Sequence, residues 1–360
     1  MPELGLRRSL RNPELWFWLA LVALGVLLPT FYVDSYVYSV FVLFGMYGAI
    51  NLMWSLVIGT AGLLSFATLA IVGVGAYTAA FLSIRHGLTW PEMFALGAAV
   101  GALLGAVVAL PTIRLRGVYF ALLTFGLVEL FQSYTASSSS LGQAYGLFGA
   151  QSFVPARYIG GQTGAVIAYY AALALLMFAF VVYMLVDRGH LGLLLRTARE
   201  SEPVARAIGI DVVRARFAVF VISSGVLGLV GGFYAAYYQG VSPSIFDFGQ
   251  LLLLFAMIVI GGMGTARGVL MGTALLLFID QHFQYAGAWR LIAIGVLMLV
   301  ITLTTDRGLD GIPAQLRAWL ETHRTRRSMP GREPVETATR SAATPLDAEV
   351  TADAGKEQVT

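Results

Sequence analysis

The sequence predicts an all-α fold, a polytopic transmembrane helical bundle of about ten spans, and three observations predict it. Only 12% of the 360 residues are charged, about half of the roughly 25% that a water-facing domain carries. Mean hydropathy is +0.77. Apolar stretches of about 20 residues recur along the chain, the length at which a rise of 1.5 Å per residue covers a hydrocarbon core of about 30 Å.

The same figures exclude a secreted disulfide scaffold and a disordered chain. There are no cysteines, so disulfides, thiol catalysis and thiolate metal sites are absent. The four histidines (His86, His190, His282, His323) are far apart, with none paired at helical spacing, which leaves a histidine zinc site unsupported. No cofactor is expected. The net charge of +3 does not signal nucleic acid, because the basic residues are nearly all arginine and sit between apolar segments. That is the pattern of a chain set in membrane lipid.

Taken in order, the expected spans are Leu15–Tyr32, Tyr36–Ile58, Leu64–Ile84, Glu92–Ile113, Val118–Ala136, Thr163–Val186 and Phe217–Tyr238. Three shorter ones follow at Phe248–Gly264, Gly268–Phe283 and Trp289–Thr305. The first two of these three have a second reading as a re-entrant hairpin, which lowers the count toward eight and keeps its parity. The first stretch reads as an uncleaved span: Arg7, Arg8 and Arg11 precede it, but it ends in Pro29-Thr-Phe-Tyr32 instead of a small-residue cleavage site. Arginine placement sets the orientation. With both termini in the cytoplasm, only Arg85, Arg157 and Arg290 fall outside, whereas the reverse orientation exports nearly all the positive charge. The organisation is a cytoplasmic N-terminus at 1–14, a transmembrane domain at 15–320 with a basic cytoplasmic loop at about 187–216, and a tail at 321–360. The tail is too poor in large apolar residues to offset its ordering entropy, and it is expected to be disordered.

Nucleotide hydrolysis lacks its parts. The sole lysine, Lys356, lies in the tail and is followed by Glu357, so no phosphate-binding loop is present. Ser65, Ser223 and Ser224 have no histidine at the centre of a span to act as base.

The basic loop is the most informative stretch. Arg196–Ile210 reads as a short surface helix, with Ser201 as N-cap, Pro203 in the first turn, Val204, Ala205 and Ile208 on one face, and Gly209 as the stop. Two readings stand for it: a linker resting on anionic headgroups, or a docking helix that takes force from a cytoplasmic partner.

Arg199, Glu200, Glu202, Ala205, Ala207, Gly209 and Ile210 resemble the coupling loop of the hydrophobic-amino-acid permeases of ATP-binding-cassette importers, in their branched-chain, LivM-like branch. Ser201 stands where that family has asparagine. The likeness continues through Ala218–Ser223, Gly228-Leu-Val-Gly-Gly232 and Val241–Phe246. Earlier matches are Gly59–Ser65, Gly73–Tyr77, and Arg114–Ala121 with Thr124 and Glu129. Later ones are Gly261-Gly-Met-Gly-Thr265 and Arg307-Gly-Leu309. Departures at Phe66-Ala-Thr68, Arg267, Val269 and Leu141–Leu147 bear on the solute rather than on membership. The resemblance implies one permease subunit of an inner-membrane importer. Its partners would be a second permease subunit, two cytoplasmic ATPase subunits and a periplasmic solute-binding protein. The solute would be a branched-chain or other hydrophobic amino acid, or else urea or a short amide. An ion-coupled secondary transporter is the alternative from another class, and it would call for paired mid-membrane acids.

Within the spans, Gly73, Gly75, Gly228, Gly231, Gly232, Gly261, Gly262 and Gly264 are expected to let helices approach closely, with a broken or hinged helix lining the pathway as the second reading. Gly261, Gly262 and Gly264, three glycines within four residues, mark the best candidate for a broken or hinged helix. Glu129 and Asn51 lie deep in their spans, where a polar group costs several kcal/mol unless it is paired or wetted. Each is a candidate either for lining the pathway or for bonding between helices. Asp280 and Gln281 sit late in theirs. Arg114 and Arg116 are expected to anchor a span at the cytoplasmic face.

Overall fold

Every expected apolar stretch among the described residues forms a helix. The computed structural model describes residues 34–304 and 308–311, apart from 114, 116 and 284–287, together with residue 25. All of them fall within one compact unit, residues 1–312. The segment 1–14, the span Leu15–Tyr32 apart from Gly25, Arg114, Arg116 and the tail 321–360 lie outside the described residues.

The described helices are α1 (Ser35–Ser55), α2 (Thr68–His86), α3 (Trp90–Ala109), α4 (Val118–Ser137), α5 (Gln162–Asp187), α6 (His190–Glu200), α7 (Glu202–Ala207), α8 (Val212–Tyr238), α9 (Phe248–Gly261), α10 (Ala266–His282) and α11 (Ala288–Thr304). A π-turn, Leu56–Thr60, prolongs α1, and a tight 3-10 turn, Leu110–Ile113, prolongs α3. Among the described residues, six segments are long and apolar enough to cross a membrane: Ser35–Thr60, Thr68–His86, Trp90–Thr112, Val118–Ser137, Gln162–Asp187 and Val212–Tyr238. The chain is a mostly helical, multi-pass membrane protein. At 14 residues α9 spans only about 21 Å, and the 17-residue α10 and α11 about 25 Å, short of a core of about 30 Å.

Local chemistry sets the helix ends. A capping box opens α3, where the Glu92 carboxylate accepts the Thr89 N–H at 2.6 Å and Pro91 occupies the first turn. Asp211 caps α8 by accepting the Arg214 N–H at 3.0 Å, and Asp247 caps α9 by accepting that of Gly249 at 3.0 Å.

The tightest packing joins α2, α3 and α8. Apolar side chains gain little by leaving lipid, so helices there associate through close backbone contact. A Cβ on Gly75 would stand 2.8 Å from the Gly228 carbonyl oxygen, and one on Gly231 would stand 2.2 Å from that of Val72. On α3, Gly97, Gly101 and Gly105 recur every fourth residue and face Gly228 and Ser224 of α8, with a Cβ on Gly101 falling 2.5 Å from the Ser224 oxygen. Gly73 leaves room for Phe246, whose ring stacks on Tyr77 at 5.9 Å.

Two features depart from the expected pattern. The Ser137–Gly161 segment contains a two-residue strand, β1 (Leu147–Phe148), antiparallel to β2 (Gly240–Val241), with Leu147 opposite Val241. This short clip is added to the helical fold; Gly240 permits it, because a Cβ there would lie 2.4 Å from the Leu147 oxygen. The expected surface helix at Arg196–Ile210 is two helices, broken at an extended Ser201 whose side chain forms no cap.

Candidate coupling junction

The segment between α5 and α8 folds into a small body of its own. Ala198, Ala205 and Val212 bury against one another with Ile210 packed beside them, so α6, α7 and the start of α8 share one miniature core. Gly209, at φ +84°, turns the chain after α7, and the Ile210 N–H then reaches the Ala205 carbonyl at 3.0 Å. The half-buried Glu202 accepts from Arg206 at 2.7 Å and from Arg216 at 3.2 Å, tying α7 to α8. Asp187, at the end of α5, pairs with Arg196 and accepts the Thr60 hydroxyl at 2.9 Å.

These contacts sort the expected coupling residues by role. Ala205, Gly209, Ile210 and Glu202 hold the segment in shape. Glu200, Ala207, Val204 and Ile208 are exposed, the last two at 57% and 66%. Val204 and Ile208 therefore form an outward apolar pair one turn apart, while Ala205 of the same expected face points inward. Arg199 does something else: its guanidinium donates to the carbonyl oxygen of Gly59, in the π-turn.

The π-turn leads into a non-helical stretch, residues 61–67, that is largely buried in the bundle. Irregular backbone is tolerated there only if its polar groups find partners. Several do: the Ala61 and Leu63 N–H groups bond the Leu56 and Val57 carbonyls, and the Phe66 N–H bonds Thr124 Oγ1 of α4 at 2.9 Å. The Trp54 indole donates to the Ser65 carbonyl at 2.6 Å.

Opposite the π-turn, the glycine run interrupts the chain between α9 and α10. Gly261 ends α9, Gly262 and Gly264 take positive φ of 112° and 101°, and Thr265 caps α10 by accepting the Gly268 N–H at 3.3 Å. The glycines form the turn of a hairpin between two helices. A Cβ on Gly261 would meet the Gly268 oxygen at 2.1 Å, and one on Gly272 the Met257 oxygen at 2.2 Å, so α9 and α10 run antiparallel in contact. The Gly264 N–H bonds Ser55 Oγ at 3.3 Å, and the Tyr183 hydroxyl donates to the Gly264 carbonyl at 3.2 Å. The loop residue Arg199 and the turn residue Gly264 both contact Gly59.

Asn51 and Glu129 part company. Asn51 is fully buried, and its amide donates to Thr273 Oγ1 of α10 at 2.9 Å and to Met257 Sδ of α9 at 3.3 Å. Its contacts bind α1 to the hairpin. Glu129 is exposed on α4, in line with exposed Leu122, Gly126, Ser133 and Ser137 at helical spacing. That line is apolar at Leu122 and polar from Glu129 onward, flanked by the exposed Leu130 and Tyr134.

Sequence reasoning missed Asp187, Tyr183, Ser55 and the Gly97–Gly105 stripe. The stripe had a legible signal, small residues at every fourth position. Asp187 did not, since its arginine partner lies nine residues on, beyond a helix break.

The family model described as "Branched-chain amino acid transport system / permease component" matches residues 36–302. The chain belongs to that family. Members provide the permease component of a transport system, and this chain is such a component. It is similar to the high-affinity branched-chain amino acid transport system permease protein LivM of Escherichia coli, 27% identical over 81% of this chain and 74% of that protein. The probable LivM of Methanocaldococcus jannaschii is 26% identical over 59% of this chain and 66% of that protein. The fructose import permease protein FrcC of Rhizobium meliloti is 20% identical over 82% of this chain and 84% of that protein. No solved structure matches the chain.

Proposed function

We propose that the chain is a permease subunit of an ATP-binding-cassette importer in the inner membrane, carrying branched-chain or other hydrophobic amino acids. In this reading it has about ten spans with both termini cytoplasmic, pairs with a second permease subunit, receives solute from a periplasmic binding protein and is driven by two ATPase subunits. The observation that carries the reading is the folded segment between α5 and α8. It presents the apolar pair Val204 and Ile208 outward, while its own core and ion pairs hold it rigid. A rigid projection with a small apolar tip suits docking into a partner cleft better than lying flat on headgroups, which calls for a long amphipathic face.

Glu129 is read as a pathway residue. A carboxylate about midway along a span is too costly to face lipid, and its exposure leaves either water or the second subunit in front of it. The polar line from Glu129 to Ser137 favours water on the outer half of that face. If Glu129→Gln leaves uptake and assembly unchanged, this assignment is dead.

The test of the function is reconstitution in proteoliposomes with the binding protein and ATPase subunits. Leucine uptake should require internal ATP and both ATPase subunits. Uptake that persists without those subunits, or that follows an imposed ion gradient, sinks the importer reading. Competition by leucine, urea and fructose assigns the solute class, with leucine expected to compete best.

A further inference from the structure

The docking segment, the π-turn and the glycine turn meet at one peptide unit, that of Gly59. On one side, the Arg199 guanidinium donates to the Gly59 carbonyl. The aliphatic part of Arg199 lies along the next turn, where a Cβ on Gly62 would be 3.4 Å from Arg199 Cγ. On the other side the backbones of two elements touch: a Cβ on Gly59 would fall 2.5 Å from Gly264 Cα and 2.7 Å from its nitrogen. Gly59 belongs to a π-turn, where wider rings leave the backbone less firmly bonded than in an α-helix. Gly264 belongs to a turn at positive φ, so neither element at the contact is regular helix.

We propose that Arg199 is a positioning residue for transport, the tie through which the docking segment moves the α9–α10 hairpin by way of Gly59. The inference rests on the docking role proposed above and assigns Arg199 a place the resemblance does not. It acts inward on the membrane domain, and Val204 and Ile208 supply the partner contact. A charged donor on a backbone carbonyl is among the stronger single hydrogen bonds and keeps its direction when pulled. Beyond it, close-packed backbone transmits displacement because there is no void to absorb it. The hairpin is also held to α1 at Ser55 and through Asn51 and Thr273, so a shift of the end of α1 carries the turn with it.

Hydrogen exchange read by mass spectrometry on the complete transporter, with and without nucleotide, tests the tie. In the parent protein, nucleotide should change exchange both at residues 202–210 and at residues 262–265. In Arg199→Gln the first response should remain and the second should vanish, with solute moved per ATP hydrolysed falling about tenfold, the worth of one charge-assisted hydrogen bond. Arg199→Lys keeps a donor but loses the planar fork, and it should fall between the two. This variant also carries the test if Arg199→Gln fails to assemble. A merely structural role would raise exchange throughout and leave both nucleotide responses in place. A turn that responds normally in both variants, or an unchanged transport ratio, overturns the proposal. If residues 202–210 do not respond in the parent protein, the docking reading itself falls, and the tie falls with it.

Discussion

Two glycine-rich regions of this molecule look alike in sequence and behave differently in space. Where α2, α3 and α8 meet, glycines sit within unbroken helices and bring backbones together, as Gly101 does with Ser224 and Gly228. Between α9 and α10, glycines end one helix and start the next, with Gly262 and Gly264 in backbone conformations that side chains resist. The first region is the rigid body of the bundle. The second is where the hairpin meets the irregular end of α1, at Gly59, which also carries the Arg199 contact. In a membrane the missing Cβ serves two ends: it substitutes for the hydrophobic effect in joining helices, and it permits a break at low cost.

Substitutions separate the two uses. The largest effect is expected in the first region. Gly101→Val would put a branched side chain where even a Cβ lies 2.5 Å from a backbone oxygen and 2.6 Å from Gly228 Cα. Helices α3 and α8 must then separate, at about 3 kcal/mol or more, and folded protein recovered in detergent should drop sharply. Gly264→Ala should behave otherwise. A Cβ there would stand 3.7 Å from Gly59 Cα, an ordinary contact, so only the strained φ costs, about 1–3 kcal/mol. The protein should assemble, and uptake should fall while ATP hydrolysis continues. If Gly264→Ala and Gly101→Val both fail to fold, the distinction between body and turn is lost. Smallest of all, Asn51→Leu removes the bond to Thr273 and should lower stability by about 0.6 kcal/mol, typical for polar pairs between membrane helices. It should cost less still in transport. A large loss of uptake with normal stability would return Asn51 to the pathway.

Much of this was legible in the sequence. The described helices fall where apolar length places them, because in lipid a run of about 20 apolar residues has few alternatives to a helix. The break at Gly261–Gly264 was legible for the same reason that it forms, three weak helix formers in four positions. The segment between α5 and α8 was legible as surface helix by residue type but not in detail. Its division at Ser201 depends on Ala198, Ala205 and Val212 burying together, a contact across three elements that no local pattern encodes. Ala205 and Val204 were given one face, and the small core took the alanine and turned the valine out. The π-turn at Leu56–Thr60 left no mark on an apolar run, so the site of the Arg199 contact could not be read from spacing. Asn51 and Glu129 looked equivalent as polar residues deep in spans; only packing shows one enclosed and the other exposed.

The most direct test of the account uses the absence of cysteine from the chain. Ile208→Cys, just past α7, and Phe148→Cys on β1, both 66% exposed in the isolated chain, each give this chain a single thiol. A short thiol-to-amine cross-linker should join Ile208→Cys to an ATPase subunit and leave Phe148→Cys unlinked. An ATPase cross-link from Phe148→Cys, with none from Ile208→Cys, would contradict both the docking segment and the orientation.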